Sequence, residues 1–182
     1  MLLFEFDKIR LVMPSPEMAG EMARVVRANL EHLRPWMPWA VDDYSQQHAR
    51  IWIESSLKAF EADGAFTLLI FENEDLIGTI GIHDLDDANR RASMGYWIDK
   101  GHMGKGIVTR CCQVVLDHLF DTMELNRVQI SANVENIRSR AIPERLGFTH
   151  EGILRKVELV QGEFRDHAVY GLLLSEWQSK RI

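Results

Sequence analysis

Hydrophobic positions along the chain switch between a period of about 3.6 residues and a period of 2, and each switch marks an element. Ile9 to Val12 reads as a short strand that stops at Met13-Pro14. Pro16 suits the first turn of a helix, where its missing N–H costs nothing. Met18, Met22, Val25, Val26, Leu30 and Leu33 then recur at helical spacing, which predicts one helix up to Arg34. Pro35 and Pro38 break the chain within Arg34-Pro35-Trp36-Met37-Pro38-Trp39. A second helix is expected from an N-cap at Ser45 to Gly64, carrying Ile51, Trp52, Leu57 and Phe60.

Strands are expected at Phe66–Phe71, Leu76–His83 and Ser93–Ile98, with a turn at Asn73-Glu74-Asp75 and a polar loop at Asp84–Arg90. Gly106 to Met123 is the clearest helix: Ile107, Cys111, Val115 and Leu119 are apolar, against a polar stripe of Arg110, Gln113, Asp117 and Asp121. Arg127 to Val134 alternates strictly and reads as a strand. Glu135 to Leu146 reads as a helix ending at Gly147, with a kink or a short helix expected from Pro143. Strands near Thr149–Val157 and Glu163–Leu174, with a turn at Gln161-Gly162, close the chain. This order of elements predicts a mixed α/β sheet with helices around it.

Composition narrows the class. A length of 182 residues makes one domain, 1–182, the default. Hydrophobic residues at 46% and charged residues at 26% are ordinary for a globular chain. No apolar run approaches the roughly 18 residues of a membrane span, and the acidic start Met1-Leu2-Leu3-Phe4-Glu5-Phe6-Asp7 does not read as a signal peptide. No membrane partner is expected. The only cysteines, Cys111 and Cys112, are neighbours, which suits neither a disulfide nor a zinc set, so a cytoplasmic setting and no metal are expected. The net charge of −6 argues against direct nucleic-acid binding and is compatible with a cationic substrate.

The chemistry concentrates between Tyr96 and Thr109. The strand ending at Trp97-Ile98-Asp99 runs through Lys100-Gly101-His102-Met103-Gly104-Lys105-Gly106 straight into the long helix. The first N–H groups of a helix lack partners and carry partial positive charge, and glycines let the backbone approach a phosphate closely. A plain tight turn is the alternative. Gly104-Lys105-Gly106 lacks the hydroxyl of a P-loop, and Gly101, Gly104 and Gly106 are spaced in the reverse order to the dinucleotide fingerprint.

Gly104 and Gly106, together with Gly78-Thr79-Ile80-Gly81, Gly95-Tyr96-Trp97-Ile98, Asn133, Asn136, Ser139 and Leu146-Gly147-Phe148, resemble the GNAT acetyltransferase superfamily over nearly the whole chain. Gly101 stands where that family usually has Gln or Arg. Leu33-Arg34-Pro35-Trp36-Met37-Pro38-Trp39 and Leu125-Asn126-Arg127-Val128 resemble its ribosomal-protein N-terminal acetyltransferase branch. The resemblance implies a mostly antiparallel sheet of about seven strands and about four helices. It implies a splay between the Ser93–Ile98 strand and the Arg127–Val134 strand, the fourth and fifth. It also implies acetyl-coenzyme A as co-substrate. The pantetheine arm would pair near Trp97 and Ile98, and the pyrophosphate would meet amides from His102, Met103, Gly104, Lys105, Gly106, Ile107, Val108 and Thr109. A homodimer is compatible with the same resemblance.

Acetyl transfer needs a neutral amine. At pH 7 neutralising an α-amine costs about 1.4 kcal/mol and a lysine about 4.6 kcal/mol, so an N-terminal acceptor needs only a modest base. The resemblance makes Glu158 that base, facing the acceptor, with a solvent-facing strand glutamate as the alternative. It makes Ser139 the proton donor to the leaving thiolate and a cofactor contact, and Asn136 a cofactor ligand. Both residues also suit backbone contacts in a first helical turn. Trp36, Trp39 and His83 are candidates to line the acceptor site, with core packing or plain exposure as the alternatives. The reading is an N-acetyltransferase acting on a protein N-terminus. The rivals are a small-amine acetyltransferase and an acyl-coenzyme A sensor without turnover.

Overall fold

The computed structural model describes residues 2–180. Eight strands form one sheet: β1 (Leu2–Phe6), β2 (Ile9–Val12), β3 (Phe66–Glu72), β4 (Asp75–Asp86), β5 (Arg91–Ile98), β6 (Arg127–Asn133), β7 (Thr149–Val160) and β8 (Glu163–Leu173), in the order β1-β2-β3-β4-β5-β6-β8-β7. Six α-helices accompany them: α1 (Ala19–Ala28), α2 (Leu30–Leu33), α3 (Gln46–Asp63), α4 (Ile107–Asp117), α5 (Ile137–Leu146) and α6 (Leu174–Ser179). The mixed, mostly antiparallel sheet is as expected, with eight strands in place of about seven and six helices in place of about four. β5 and β6 are parallel, paired at their starts through Arg91–Arg127, Ala92–Val128 and Ser93–Gln129. This is the strand pair at which the resemblance expects the sheet to splay.

The chain divides into two compact units, Met1–Gly81 with Tyr96–Ile107, and Ile82–Gly95 with Val108–Ile182. In the first unit, α1 and α3 bury Met22, Val25, Val26, Ala49 and Ile53 with Leu69 and Phe71 of β3 and Trp97 of β5. Each buried Met, Val, Ile or Leu side chain contributes roughly 1.5–3 kcal/mol by leaving water. The expected single helix from Pro16 is instead a 3-10 turn at Pro16–Met18, then α1, then a break at Asn29 before α2. Asn29 has φ −115° and ψ 8°, and its Nδ2 donates back to Val25 O at 2.9 Å. A buried asparagine competing for backbone groups in this way ends the helix that the apolar spacing alone would continue. α3 starts after Ser45 as expected, with the Ser45 amide donating to His48 Nδ1 at 3.2 Å.

In the second unit, α4 gives way to a π-helical turn at His118–Thr122 rather than running on to Met123. Leu119 and Phe120, within this turn, are both buried. α5 starts at Ile137, two residues later than expected, because Asn136 caps it: Asn136 Oδ1 accepts from Ser139 N at 3.1 Å. Pro143 lies inside this short helix of 10 residues. β7 and β8 form a hairpin whose tip, Gln161-Gly162, has φ 49° and 82°, the positive pair that suits a two-residue loop.

Two elements escaped the periodicity. β1 is five residues long and reads in sequence only as an acidic terminus, and α6 has six residues, too few to show a period. β4 and β5 also extend into the expected loop, which shrinks to the turn after Asp86. There Asp86 Oδ1 accepts from Asn89 N at 2.9 Å.

Candidate active site

In the first unit the segment after β5 is braced before it reaches α4. The Asp99 amide donates to Ile77 O at 2.6 Å. Asp99 Oδ1 accepts from Gly101 N at 2.7 Å and lies 2.9 Å from His102 Nδ1, and Asp99 Oδ2 accepts from Asn29 Nδ2 at 2.8 Å. Asn29 Oδ1 in turn accepts from Lys100 N at 2.9 Å. His102 Nε2 lies 3.4 Å from Glu72 Oε2 at the end of β3. Partial burial raises the Asp99 pKa, but hydrogen bonds from Asn29, His102 and Gly101 outweigh it and hold the carboxyl below its usual range.

This bracing occupies the early amides. His102 N donates to Asp99 O at 3.0 Å and Met103 N to Lys100 O at 3.5 Å. The next residues are different. Gly104 and Gly106 have φ +75° and +73°, and a Cβ at either would meet nothing within 4 Å. Gly104, Lys105 and Gly106 are exposed, and α4 begins at the next residue. An exposed glycine turn leading directly into the N-terminus of a helix suits an anion such as a pyrophosphate. Asp99 also bears on the departure at Gly101: a Cβ there would sit 3.0 Å from Asp99 Oδ1, so the acid folds over the place of the usual long side chain.

Trp97 and Ile98 lie against Gly78 of β4. A Cβ on Gly78 would fall 2.3 Å from Trp97 O and 2.9 Å from Ile98 Cα, so these backbones approach only because residue 78 has no side chain. Trp97 is buried, and its ring centroid is 6.1 Å from that of Trp39, which is itself 40% exposed and 6.0 Å from Tyr44. Trp39 is thus brought beside a proposed pantetheine-pairing residue. Trp36 is half-buried, and its amide donates to Leu33 O at 2.9 Å.

In the second unit Glu158 is half-buried on β7 and its Oε2 lies 3.0 Å from His167 Nε2 on β8. His167 Nδ1 lies 3.1 Å from Ser131 Oγ on β6. Ser139 and Asn136 share the first turn of α5 through the capping bond, which takes one lone pair of Asn136 Oδ1 and leaves its Nδ2 as the donor it can offer a ligand. Thr109, in the first turn of α4, accepts at Oγ1 from Arg145 of α5 at 3.0 Å. Among the described residues, Asn133 Nδ2 and Arg165 Nε are buried donors with no acceptor. His83 is exposed and pairs through Nδ1 with Asp84 Oδ2 at 2.8 Å, and its Nε2 would lie 3.6 Å from a Cβ on Gly95.

Asn29, Asp99, Ser131, Arg145 and His167 are the residues that sequence reasoning passed over. Asn29 had a weak signal, a polar residue inside an apolar helical run. The others had none, because their importance comes from partners up to 70 residues away. Cys111 and Cys112 are both buried, and burial pushes the Cys111 thiol up to about 12. Among the described residues no group of His, Cys, Asp and Glu could hold a metal ion, and no helix is long and apolar enough to cross a membrane.

Residues 8–149 match the family model described as an acetyltransferase (GNAT) domain. A protein of Bacillus subtilis (strain 168) named "Putative ribosomal N-acetyltransferase YdaF" is 37% identical over 97% of this chain and 96% of its own length. The ribosomal-protein-serine acetyltransferase of Escherichia coli (strain K12) is 26% identical over 83% of this chain and 84% of its own. The crystal structure of the microcin C7 self-immunity acetyltransferase MccE, in complex with acetyl-CoA and AMP, superposes with a TM-score of 0.88. It is 28% identical, covering 92% of this chain and 93% of that one. The family model spans most of the chain, including both the glycine turn and α5, and the chain belongs to the GNAT acetyltransferase family.

Proposed function

We propose that this protein transfers the acetyl group of acetyl-CoA to the N-terminal α-amine of a protein, a ribosomal protein being the favoured class, with the whole chain acting as one catalytic domain. The observation that carries the donor side is the open glycine turn: Gly104 and Gly106 hold positive φ with free space above them, directly before α4. Amides of Gly104, Lys105, Gly106, Ile107, Val108 and Thr109 then meet the pyrophosphate, each charged hydrogen bond adding roughly 1.5–3 kcal/mol. His102 and Met103, with their amides engaged inside the turn, contribute through side chains and by holding its shape. The complex of MccE with acetyl-CoA supports the choice of donor. Trp97 and Ile98 pair with the pantetheine arm, and the free Nδ2 of Asn136 donates to it.

The names of the bacterial relatives support a ribosomal acceptor, and Trp36, Trp39 and His83 are assigned to its binding. The α-amine nitrogen attacks the thioester carbonyl, its proton passes to Glu158, and the departing thiolate takes a proton from Ser139, which is made good from Glu158 through solvent so that both side chains return to their starting states. Nitrogen–carbon bond formation and carbon–sulfur cleavage occur in one ternary complex. The buried, high-pKa Cys111 makes a poor acetyl carrier. A cytoplasmic setting fits such an acceptor.

The test is mass spectrometry of peptides bearing ribosomal-protein N-termini, alongside polyamines, amino acids and aminoglycosides, all with acetyl-CoA. One acetyl group on the α-amine, with internal lysines unmodified, is expected. Turnover of the small amines alone would replace the acceptor assignment. Saturable acetyl-CoA binding with no product anywhere would make the protein a sensor.

A further inference from the structure

Glu158 is not an isolated strand carboxylate. Between Leu154, opposite His167, and Glu158, opposite Arg165, β7 contains three residues where β8 contains one. Lys156 sits in this bulge with φ 51°, and its amide donates to Asp166 Oδ1 at 2.8 Å. Continued without the bulge, the register from Leu154–His167 would set Lys156 opposite Arg165. The two extra residues exchange a cation for Glu158 and keep it on the face that carries His167.

On that face a line of three polar groups crosses three strands. Ser131 Oγ lies 3.1 Å from His167 Nδ1, and His167 Nε2 lies 3.0 Å from Glu158 Oε2. The imidazole is well covered, with 14% of its side chain exposed against 34% for Glu158, while Ser131 is exposed. An ionised carboxylate only accepts, so the hydrogen must be on Nε2. In the neutral ring Nδ1 is then an acceptor, and the Ser131 hydroxyl donates to it.

We propose that His167 and Ser131 are positioning residues for Glu158: Ser131 fixes the His167 tautomer, and the Nε2–H bond engages Oε2 so that Oε1 alone takes the amine proton. This rests on the assignment of Glu158 as base. The imidazole itself neither gains nor loses a proton in the step. The N–H bond of the amine breaks and an O–H bond forms at Oε1. Orientation matters here because a displacement of about 1 Å can cost on the order of 100-fold in rate.

The experiment compares kcat and KM for His167→Ala, His167→Gln, His167→Asn, Ser131→Ala, Glu158→Gln and the double variant His167→Ala with Glu158→Gln, each checked by thermal melting. A glutamine amide can replace the Nε2 donor, whereas an asparagine reaches only the Nδ1 position. His167→Ala and His167→Asn are expected to lose about 10- to 100-fold in kcat with the acetyl-CoA KM unchanged, and His167→Gln to recover most of it. The double variant should be no slower than Glu158→Gln, because the two residues act as one unit. Equal activities for the Gln and Asn variants, or additive losses in the double variant, would reduce His167 to a packing residue. If His167→Ala misfolds, Ser131→Ala at the exposed end carries the test: a kcat loss at wild-type melting temperature supports the line, and none breaks it. Wild-type turnover by Glu158→Gln would instead remove the base assignment, a failure distinct from that of the positioning claim.

Discussion

Asn29, in the break between α1 and α2, donates from Nδ2 to Asp99 Oδ2 at 2.8 Å, and its Oδ1 accepts the amide of Lys100 at 2.9 Å. One buried amide side chain therefore holds both the acid and the backbone at the start of the glycine turn. Asn29→Leu leaves the Asp99 carboxylate and the Lys100 amide each short of a partner. A loss of about 1–3 kcal/mol in stability is expected from such orphaned groups. The acetyl-CoA KM should rise more than kcat falls, because Asn29 touches no reacting atom. Urea unfolding with steady-state kinetics checks both, and an unchanged KM would detach Asn29 from the cofactor turn.

That contact also marks where sequence reading stops. The helical period through Met18, Met22, Val25 and Val26 was legible because those residues face one apolar core. So was the glycine turn, because the order of strand, glycines and long helix from Trp97 to Thr109 is written in the sequence itself. The break at Asn29 had only a weak signal: its bond back to Val25 O is local, but the contacts with Asp99 and Lys100 that make it matter span 70 and 71 residues. The setting of Glu158 was hidden for a related reason. A bulge adds two residues to β7 without disturbing its polarity pattern, so the neighbours of Glu158 follow from register and not from spacing. Even the GNAT resemblance pointed to Glu158 and Ser139 without pointing to His167 or Ser131.

Gly78→Ala tests the close approach of β4 to β5. The added methyl would fall 2.3 Å from the Trp97 carbonyl oxygen, which is backbone and has little room to yield. Overpacking of this kind costs about 1–3 kcal/mol. The variant should melt lower and bind acetyl-CoA more weakly, since the same peptide is assigned to pantetheine. Calorimetric binding at a temperature where the variant is fully folded separates the two effects, and normal affinity there would argue against strand-like pairing at Trp97.

Gly104→Ala and Gly106→Ala should behave differently from Gly78→Ala. Their Cβ atoms meet nothing within 4 Å, so the cost is one of backbone conformation, about 1–2 kcal/mol each for left-handed φ. A ligand brought close to this turn would meet the new methyl, so acetyl-CoA affinity should fall further than the strain alone explains. Titration calorimetry with free coenzyme A and with its dephosphorylated pantetheine fragment locates the effect. A loss confined to the coenzyme supports pyrophosphate at the turn, and an equal loss for the fragment contradicts it.

Asp99 makes a prediction in acid. Its folded pKa lies below the usual aspartate value of 3.8, since the hydrogen bonds outweigh desolvation. For a depressed carboxylate the stabilisation is complete above the unfolded value and is lost as pH falls through the lower folded value. Asp99 should therefore add nothing to the pH dependence between 5 and 8. Below about pH 4 it should contribute to acid unfolding, and Asp99→Asn should flatten that part of the curve. Urea midpoints measured from pH 2 to 7 test this, and a difference in slope confined to neutral pH would show that another group is responsible.

Cys111 and Cys112 test the direct route of transfer. Both are fully buried, and burial pushes the Cys111 thiol up to about 12 and Cys112 well above its usual range. The thiolate is the reactive form, so at pH 8 on the order of one Cys111 in 10,000 would be ionised even if a reagent could reach it. Native protein should resist iodoacetamide while unfolded protein reacts at both positions, and Cys111→Ala should keep its kcat while losing only packing energy. Incubation with acetyl-CoA alone should leave the intact mass of the protein unchanged. An acetyl adduct on either cysteine that transfers to added peptide would replace the ternary complex with a covalent intermediate, and would require a motion of α4 large enough to expose a thiol now packed in the core.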